Sequence, residues 1–214
     1  LDKLSKKSFE LQWNKFELTQ TTWAKPLEVR KKEFLDNIDS NEETIKGALI
    51  YDAGCGNGTL SCGINSFGTE IVAVDFTNSI NKINKEKQNF SEKYAPFIHF
   101  IQGDITKPII KKNVFDYSHS SGVLHHVQNP EKAFEFFVKT GKKDSKIYIL
   151  MYRKRYNFFG ILNTLCRIIT TQIPKVLLYK ICYKLAPFHR WLSKTVKKRN
   201  NEEKMPELSN EELA

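Results

Sequence analysis

Asp52-Ala53-Gly54-Cys55-Gly56-Asn57-Gly58 is the stretch of this 214-residue chain best suited by residue type and spacing to hold a ligand. Alternating glycines let the backbone turn sharply and come close to a bound molecule with no Cβ in the way. The apolar run Ala48-Leu49-Ile50-Tyr51 precedes the loop and a helix is predicted from Thr59, whose first amide N–H groups would face the ligand. A dinucleotide fingerprint, G-x-G-x-x-G, would need its third glycine at position 59, where Thr59 stands. Asp52 at the strand end opposes a pyrophosphate and suits an ammonium group. The loop therefore favours a cationic amino-acid ligand over a dinucleotide.

Other residues of chemical interest follow in order. Asp75 closes a second apolar run, Ile71-Val72-Ala73-Val74, and is followed by Phe76. Gln102-Gly103-Asp104-Ile105 follows a third run, and Ser120-Ser121-Gly122-Val123-Leu124-His125-His126 a fourth. Histidine titrates in the range useful for proton transfer, so His125 or His126 is a candidate general base. The plainer alternative is that both pack and hydrogen-bond in their loop. His99 and His119 read as strand residues, and His189 lies in a basic segment. Cys55, Cys62, Cys166 and Cys182 lack metal-ligand spacing and read as reduced thiols, so no metal site is predicted.

The elements that must position these residues are legible from short apolar runs, helix start signals and composition. Strands are predicted at 48–52, 71–75, 97–101, 114–118 and 145–152. Helices are predicted at 26–38, from Thr59, over 78–94 and from Asn129 to Val138. Strand alternating with helix at this spacing implies βαβ units and a parallel sheet. The expected fold class is α/β, a three-layer sandwich with a mostly parallel sheet and the ligand at the carboxyl ends of its strands.

At this point the sequence resembles the class I, Rossmann-like S-adenosylmethionine-dependent methyltransferases, of the bacterial small-molecule type. Their first motif has the form D-x-G-x-G-x-G, matched by Asp52 to Gly58, and Asp75 matches the family's acid at the end of the second strand. Gln102 to Ile105, the Phe115-Asp116-Tyr117-Ser118 strand with its following loop, and Asn129-Pro130-Glu131 complete four ordered motifs over roughly Ile45 to Tyr152. The resemblance implies S-adenosyl-L-methionine as cofactor. Asp52, Ala53, Gly54, Cys55, Gly56 and Gly58 would hold its amino-acid moiety, Asp75 and Phe76 its ribose, and Gly103, Asp104 and Ile105 its adenine. Ser120 would also face it. Phe9-x-x-Gln12-Trp13-x-x-Phe16 with Gln20-Thr21 is similar to a lid in some bacterial members, which would bring Trp13 to the site. The aromatic stripe has a second reading as core. The family sheet has two further strands that find no convincing match here. A capping box at Ser209-Asn210-Glu211-Glu212, where the sequence stops, agrees with a truncated chain and an incomplete sheet.

The formal charge of +10 is unevenly distributed. Thirteen of the 34 Lys and Arg lie between Ser145 and Asn201, a stretch without Asp or Glu; elsewhere 21 basic residues face 24 acidic ones. Such a block suggests a local anionic partner. Phe158, Phe159, Ile161, Leu162, Leu165, Ile168 and Ile169 are spaced for one face of a helix. Its readings are a cover over the substrate, a membrane-surface helix with Arg167, Lys175, Lys180 and Lys184 on lipid headgroups, or a nucleic-acid contact.

The expected divisions are a helical lid (1–46), a cofactor-binding core (47–152), a basic-apolar helical segment (153–199) and an acidic tail (200–214). There is no signal-peptide run and no apolar stretch of about 18 residues, so the chain is expected in the cytoplasm, or at the inner face of the membrane. The expected function is methyl transfer to a small-molecule or lipid-linked acceptor. The alternatives are a peripheral membrane or regulatory module that binds the cofactor without turnover, and a nucleic-acid methyltransferase. The Asn/Asp-Pro-Pro-aromatic motif of nucleobase amino-methylating enzymes has no counterpart at Ser120 to Val123, so nucleic acid is the weaker partner.

Overall fold

The computed structural model describes residues 9–10, 13, 21–22, 25–89, 92–107, 110–152, 158–174, 177–178, 180–185 and 187. Gln12, Phe16, Gln20, Lys175, His189 and the 200–214 tail lie outside the described residues. The chain divides into two compact units, Leu1–Tyr152 and Arg153–Ala214.

The first unit is built on five strands: β1 Leu49–Ala53, β2 Glu70–Asp75, β3 Ile98–Gln102, β4 Phe115–Ser121 and β5 Gly141–Leu150. Their order is β3-β2-β1-β4-β5, and every neighbouring pair is parallel. Helices α1 Leu27–Asn37, α2 Glu42–Ile45, α3 Thr59–Asn65, α4 Ser79–Glu86 and α5 Pro130–Thr140 connect or precede them. Near the N-terminus Thr21–Thr22 pairs antiparallel with Lys25–Pro26.

Period-two alternation along each strand builds two apolar faces. On one, Ile50, Ile71, Ala73 and Ile98 pack with Phe34, Ile45, Cys62, Ile64 and Ile83 from α1 to α4. On the other, Tyr51, Ala53, Val74 and Phe115 pack with Ala133 and Phe137 of α5. The three layers are thus helices, sheet and helix, as the alternation of elements implies. Tyr51 stacks on Phe115 at 5.2 Å between ring centroids, which ties β1 to β4 beneath α5.

The limits of several elements differ from the sequence expectation. The helix expected over 78–94 is α4 alone, followed by the 3₁₀ turns Lys87–Asn89 and Ala95–Phe97. Ile80 and Ile83 are buried, and no apolar residue of Glu86 to Asn89 follows them to continue the stripe. The Lys87 ammonium instead donates to the Ile98 carbonyl at 2.7 Å, stopping the helix against the start of β3. Strand β5 begins at Gly141 because Gly141 pairs with Phe115, but its register shifts before Lys146 reaches Tyr117. Asn129 caps α5 by accepting the Lys132 amide at 2.9 Å, with Pro130 at the first helical position.

In the second unit α6 spans Phe158–Thr171, and residues 177, 178, 180–185 and 187 are also helical. Among the described residues no helix is long and apolar enough to cross a membrane.

Candidate cofactor site

Strand order reverses between β1 and β4, so their following loops diverge and open a crevice at the carboxyl end of the sheet. A cavity of about 680 Å³ occupies it, a size that accommodates a nucleoside-sized ligand. The loop after β1 is fixed from below by its neighbour: the Gly54 and Cys55 amides both donate to the Val74 carbonyl, at 2.7 and 3.2 Å. The loop after β3 is tied to β2 in the same way, Gly103 N–H donating to the Asp75 carbonyl at 2.9 Å.

Glycine is required in the first loop by shape as well as by conformation. Gly56 has φ +60°, and a Cβ there would lie 2.9 Å from the Trp13 indole. Gly54 has φ +86°, and its Cβ would collide with the Val123 side chain. The loop is thereby packed between an aromatic from the N-terminal segment and the turn after β4.

Asp75 is 5% exposed, yet it borders the cavity. One carboxylate oxygen accepts the Gly56 amide at 2.9 Å; the other accepts the Thr77 amide at 2.9 Å and the Thr77 hydroxyl at 2.7 Å. Burial raises its pKa above the ordinary carboxylate value, and the bonds from Thr77 and Gly56 offset only part of that.

Asp52 is equally buried and its oxygens already have partners. The Ser61 hydroxyl donates to one at 2.5 Å, and His119 Nδ1 lies 3.2 Å from the other. His119 is held between Tyr148, with which it stacks at 5.5 Å, and the edge of Phe34. From its place in the sequence His119 reads only as a strand residue. Its inward face is a consequence of its register opposite Asp52, which only the sheet pairing reveals.

Gly54, Cys55, Gly56, Phe76, Gly103, Asp104, Ile105 and Trp13 all line the same cavity as Asp52 and Asp75. Ala53, Gly58 and Ser120 do not border it. Ser120 is fully buried in the sheet and donates to the Ala53 carbonyl at 2.9 Å, while the next residue, Ser121, forms the cavity wall. Gly58 instead caps α3 in a left-handed conformation. Asp104 is exposed; partial desolvation is the largest single influence and raises its pKa, but the Thr106 hydroxyl and amide and the Lys107 charge together outweigh it and hold the group below the ordinary value.

The two histidines of the 3₁₀ turn Leu124–His126 are separated by the fold. His126 borders the cavity, its ring 5.1 Å from that of Phe9, which in turn meets Phe76 edge-on at 6.2 Å. His125 sits behind it, 4.0 Å from the His126 ring and 5.0 Å from Tyr152, and does not border the cavity. Desolvation lowers the His125 pKa. Arg30 of α1 is a cavity residue that the sequence did not single out. It pairs with Glu33 through one terminal nitrogen at 3.1 Å, and its buried Nε has no partner among the described residues.

The sequence model of a family described as a methyltransferase domain matches residues 44–206. The chain belongs to that family. Among curated relatives, a demethylmenaquinone methyltransferase of Paenarthrobacter aurescens is 32% identical over 48% of this chain and 38% of its own length. An uncharacterized methyltransferase of Staphylococcus carnosus is 27% identical over 57% of this chain and 54% of its own. The chain thus spans well under two thirds of the curated relatives it matches. A solved structure from Methanococcus maripaludis, provisionally described as an S-adenosyl-L-methionine-dependent methyltransferase, superposes with a TM-score of 0.54 at 19% identity. That match covers 94% of this chain and 84% of the other. It establishes for this methyltransferase domain the class I, Rossmann-like fold.

Proposed function

We propose that this methyltransferase domain binds S-adenosyl-L-methionine in the crevice between β1 and β4 and transfers its methyl group to a small-molecule acceptor. The observation that carries the reading is Asp75, a buried carboxylate at the cavity wall hydrogen-bonded to the glycine loop itself. It supplies acceptors for the ribose hydroxyls where β2 ends, beside Gly103 to Ile105 for the adenine. Arg30 supports the same fit: it borders the cavity and its guanidinium offers a cation and donors to the carboxylate of an amino-acid moiety. Asp52, engaged with Ser61 and His119, contributes negative charge toward the ammonium end.

S-adenosyl-L-methionine, when bound, supplies an electrophilic methyl group on a sulfonium with a neutral leaving group. The chain's own work is then to position and to exclude water. Phe9, Trp13, Phe76 and Tyr152 give the cavity aromatic walls, suited to a flat acceptor ring. His126 at the wall is placed to take a proton from an acceptor hydroxyl. The relatives named demethylmenaquinone methyltransferase support an acceptor of small-molecule type. Residues 1–46 act in this reading as a lid and 47–152 as the cofactor core.

Calorimetric titration of S-adenosyl-L-methionine and S-adenosyl-L-homocysteine into the chain tests the reading, with Asp75→Ala alongside. Saturable binding is expected, weakened about tenfold or more in the variant, in line with hydrogen bonds to a charged group. Absence of binding by folded protein would refute the assignment of the cavity.

A further inference from the structure

We propose that the unit Arg153–Ala214 carries a docking surface for an anionic lipid bilayer, formed by α6 and the described helical residues that follow it. Ile161, Leu165, Ile168 and Ile169 fall on one face of α6 at i, i+4, i+7 and i+8, and are 53–65% exposed. Helices packed on the sheet behave otherwise: Ile80 and Ile83 of α4 are 3% and 1% exposed. Arg167 and Thr170 lie on the opposite side of α6. In the following helical stretch Leu177, Ile181 and Leu185 recur at i, i+4 and i+8, each again exposed, and Lys180 and Lys184 flank that stripe.

Charge decides the occupant. An apolar stripe alone would suit a protein groove or a second copy of the chain. Here the stripes are embedded in the stretch from Ser145 to Asn201 that carries thirteen Lys and Arg and no acidic residue. A second copy would bring the same positive charge to the contact and repel it. An anionic bilayer accepts both parts at once: side chains such as Leu165 and Ile168 enter the acyl boundary, while lysines extend their ammonium groups to the headgroups. Nucleic acid would satisfy the charge and leave the apolar stripes in water. At about 1.5 Å per residue, α6 is of a length to lie in the interface and too short to cross it. This surface is independent of methyl transfer and requires no bound cofactor.

The test is co-sedimentation of the full chain with vesicles of phosphatidylcholine alone and of phosphatidylcholine mixed with phosphatidylglycerol. The expected result is binding to the anionic vesicles only, weakened by salt. Arg167→Gln, Lys180→Gln and Lys184→Gln combined should weaken it by about twentyfold or more, the two lysines beside the stripe contributing about fivefold each and Arg167, on the far side of α6, less. Because these side chains are exposed, circular dichroism of the triple variant should match the parent. Leu165→Asn with Ile168→Asn should weaken binding while leaving heparin retention unchanged. Four results would overturn the proposal: no binding to either vesicle, equal binding to both, parental binding by the triple variant, or salt-sensitive RNA binding without vesicle binding. Inorganic phosphate at millimolar levels that abolishes sedimentation would point to a free-anion site and would also overturn it.

Discussion

The acids at the two strand ends are chemically similar and end up with different duties because of their partners. Asp75 meets donors from Gly56 and Thr77 and borders the cavity, so under the proposed function a ligand hydroxyl would join an existing network. Asp52 is engaged by Ser61 and His119, which fix the position of its charge at the end of β1. Arg30 gives the most direct test at this scale. Arg30→Gln should weaken S-adenosyl-L-methionine binding about tenfold or more by calorimetry, with thermal stability little changed. Decarboxylated S-adenosylmethionine should bind the parent and the variant alike, because it lacks the carboxylate that Arg30 is assigned to hold. Discrimination by the variant between the two ligands as strong as the parent's would remove Arg30 from the site. Asp52 and the glycines were legible as a motif; Arg30 was not, since nothing in α1's own sequence marks one arginine among its several charges.

At the level of elements, the sheet fixes the loops and the loops fix the site. Ile71 is 1% exposed at the centre of β2 and packs against the layer formed by α1 to α4. Ile71→Ala should cost about 2–5 kcal/mol in urea unfolding, the range for emptying a well-packed core position. Gly54→Ala tests the loop, because the new Cβ must displace Val123 and the backbone is left-handed there. Cofactor affinity should fall together with the unfolding midpoint; a variant as stable and as tight-binding as the parent would contradict the packing described. The strands were legible because short continuous apolar runs ended by a glycine or an acid, such as Leu49 to Tyr51 and Ile71 to Val74, mark buried strands whichever neighbours they find. The start of β5 was not, because Gly141 is held there by pairing with Phe115 rather than by any pattern of its own.

Across the molecule, burial couples stability to pH through His125. Desolvation lowers its pKa below the ordinary 6.5, so the unfolded chain binds more protons between that lowered value and 6.5. His125 therefore contributes full stability above about 6.5 and loses it as the pH falls through that window. His125→Gln should flatten the decline in urea midpoint between neutral and mildly acidic buffer. An unchanged slope would show that the imidazole titrates as it does in the unfolded chain. His126, at the cavity wall, belongs to the other side of the account: His126→Gln should lower turnover at neutral pH with little change in cofactor affinity.

The sequence by itself determined the α/β class, the five strands, the glycine loop with its acids and the confinement of positive charge to one segment. These are local properties: periodicity, turn chemistry and composition are written in neighbouring residues, and the family resemblance rests on motifs of the same kind. Tertiary structure decided which of those residues face the cavity. Ser121 in place of Ser120, His126 in place of His125, and the arrival of Arg30 and His119 all depend on register and on which helix lies over which strand. A shift of one residue along a strand turns a side chain to the opposite face of the sheet, and that choice is made only when the strands pair.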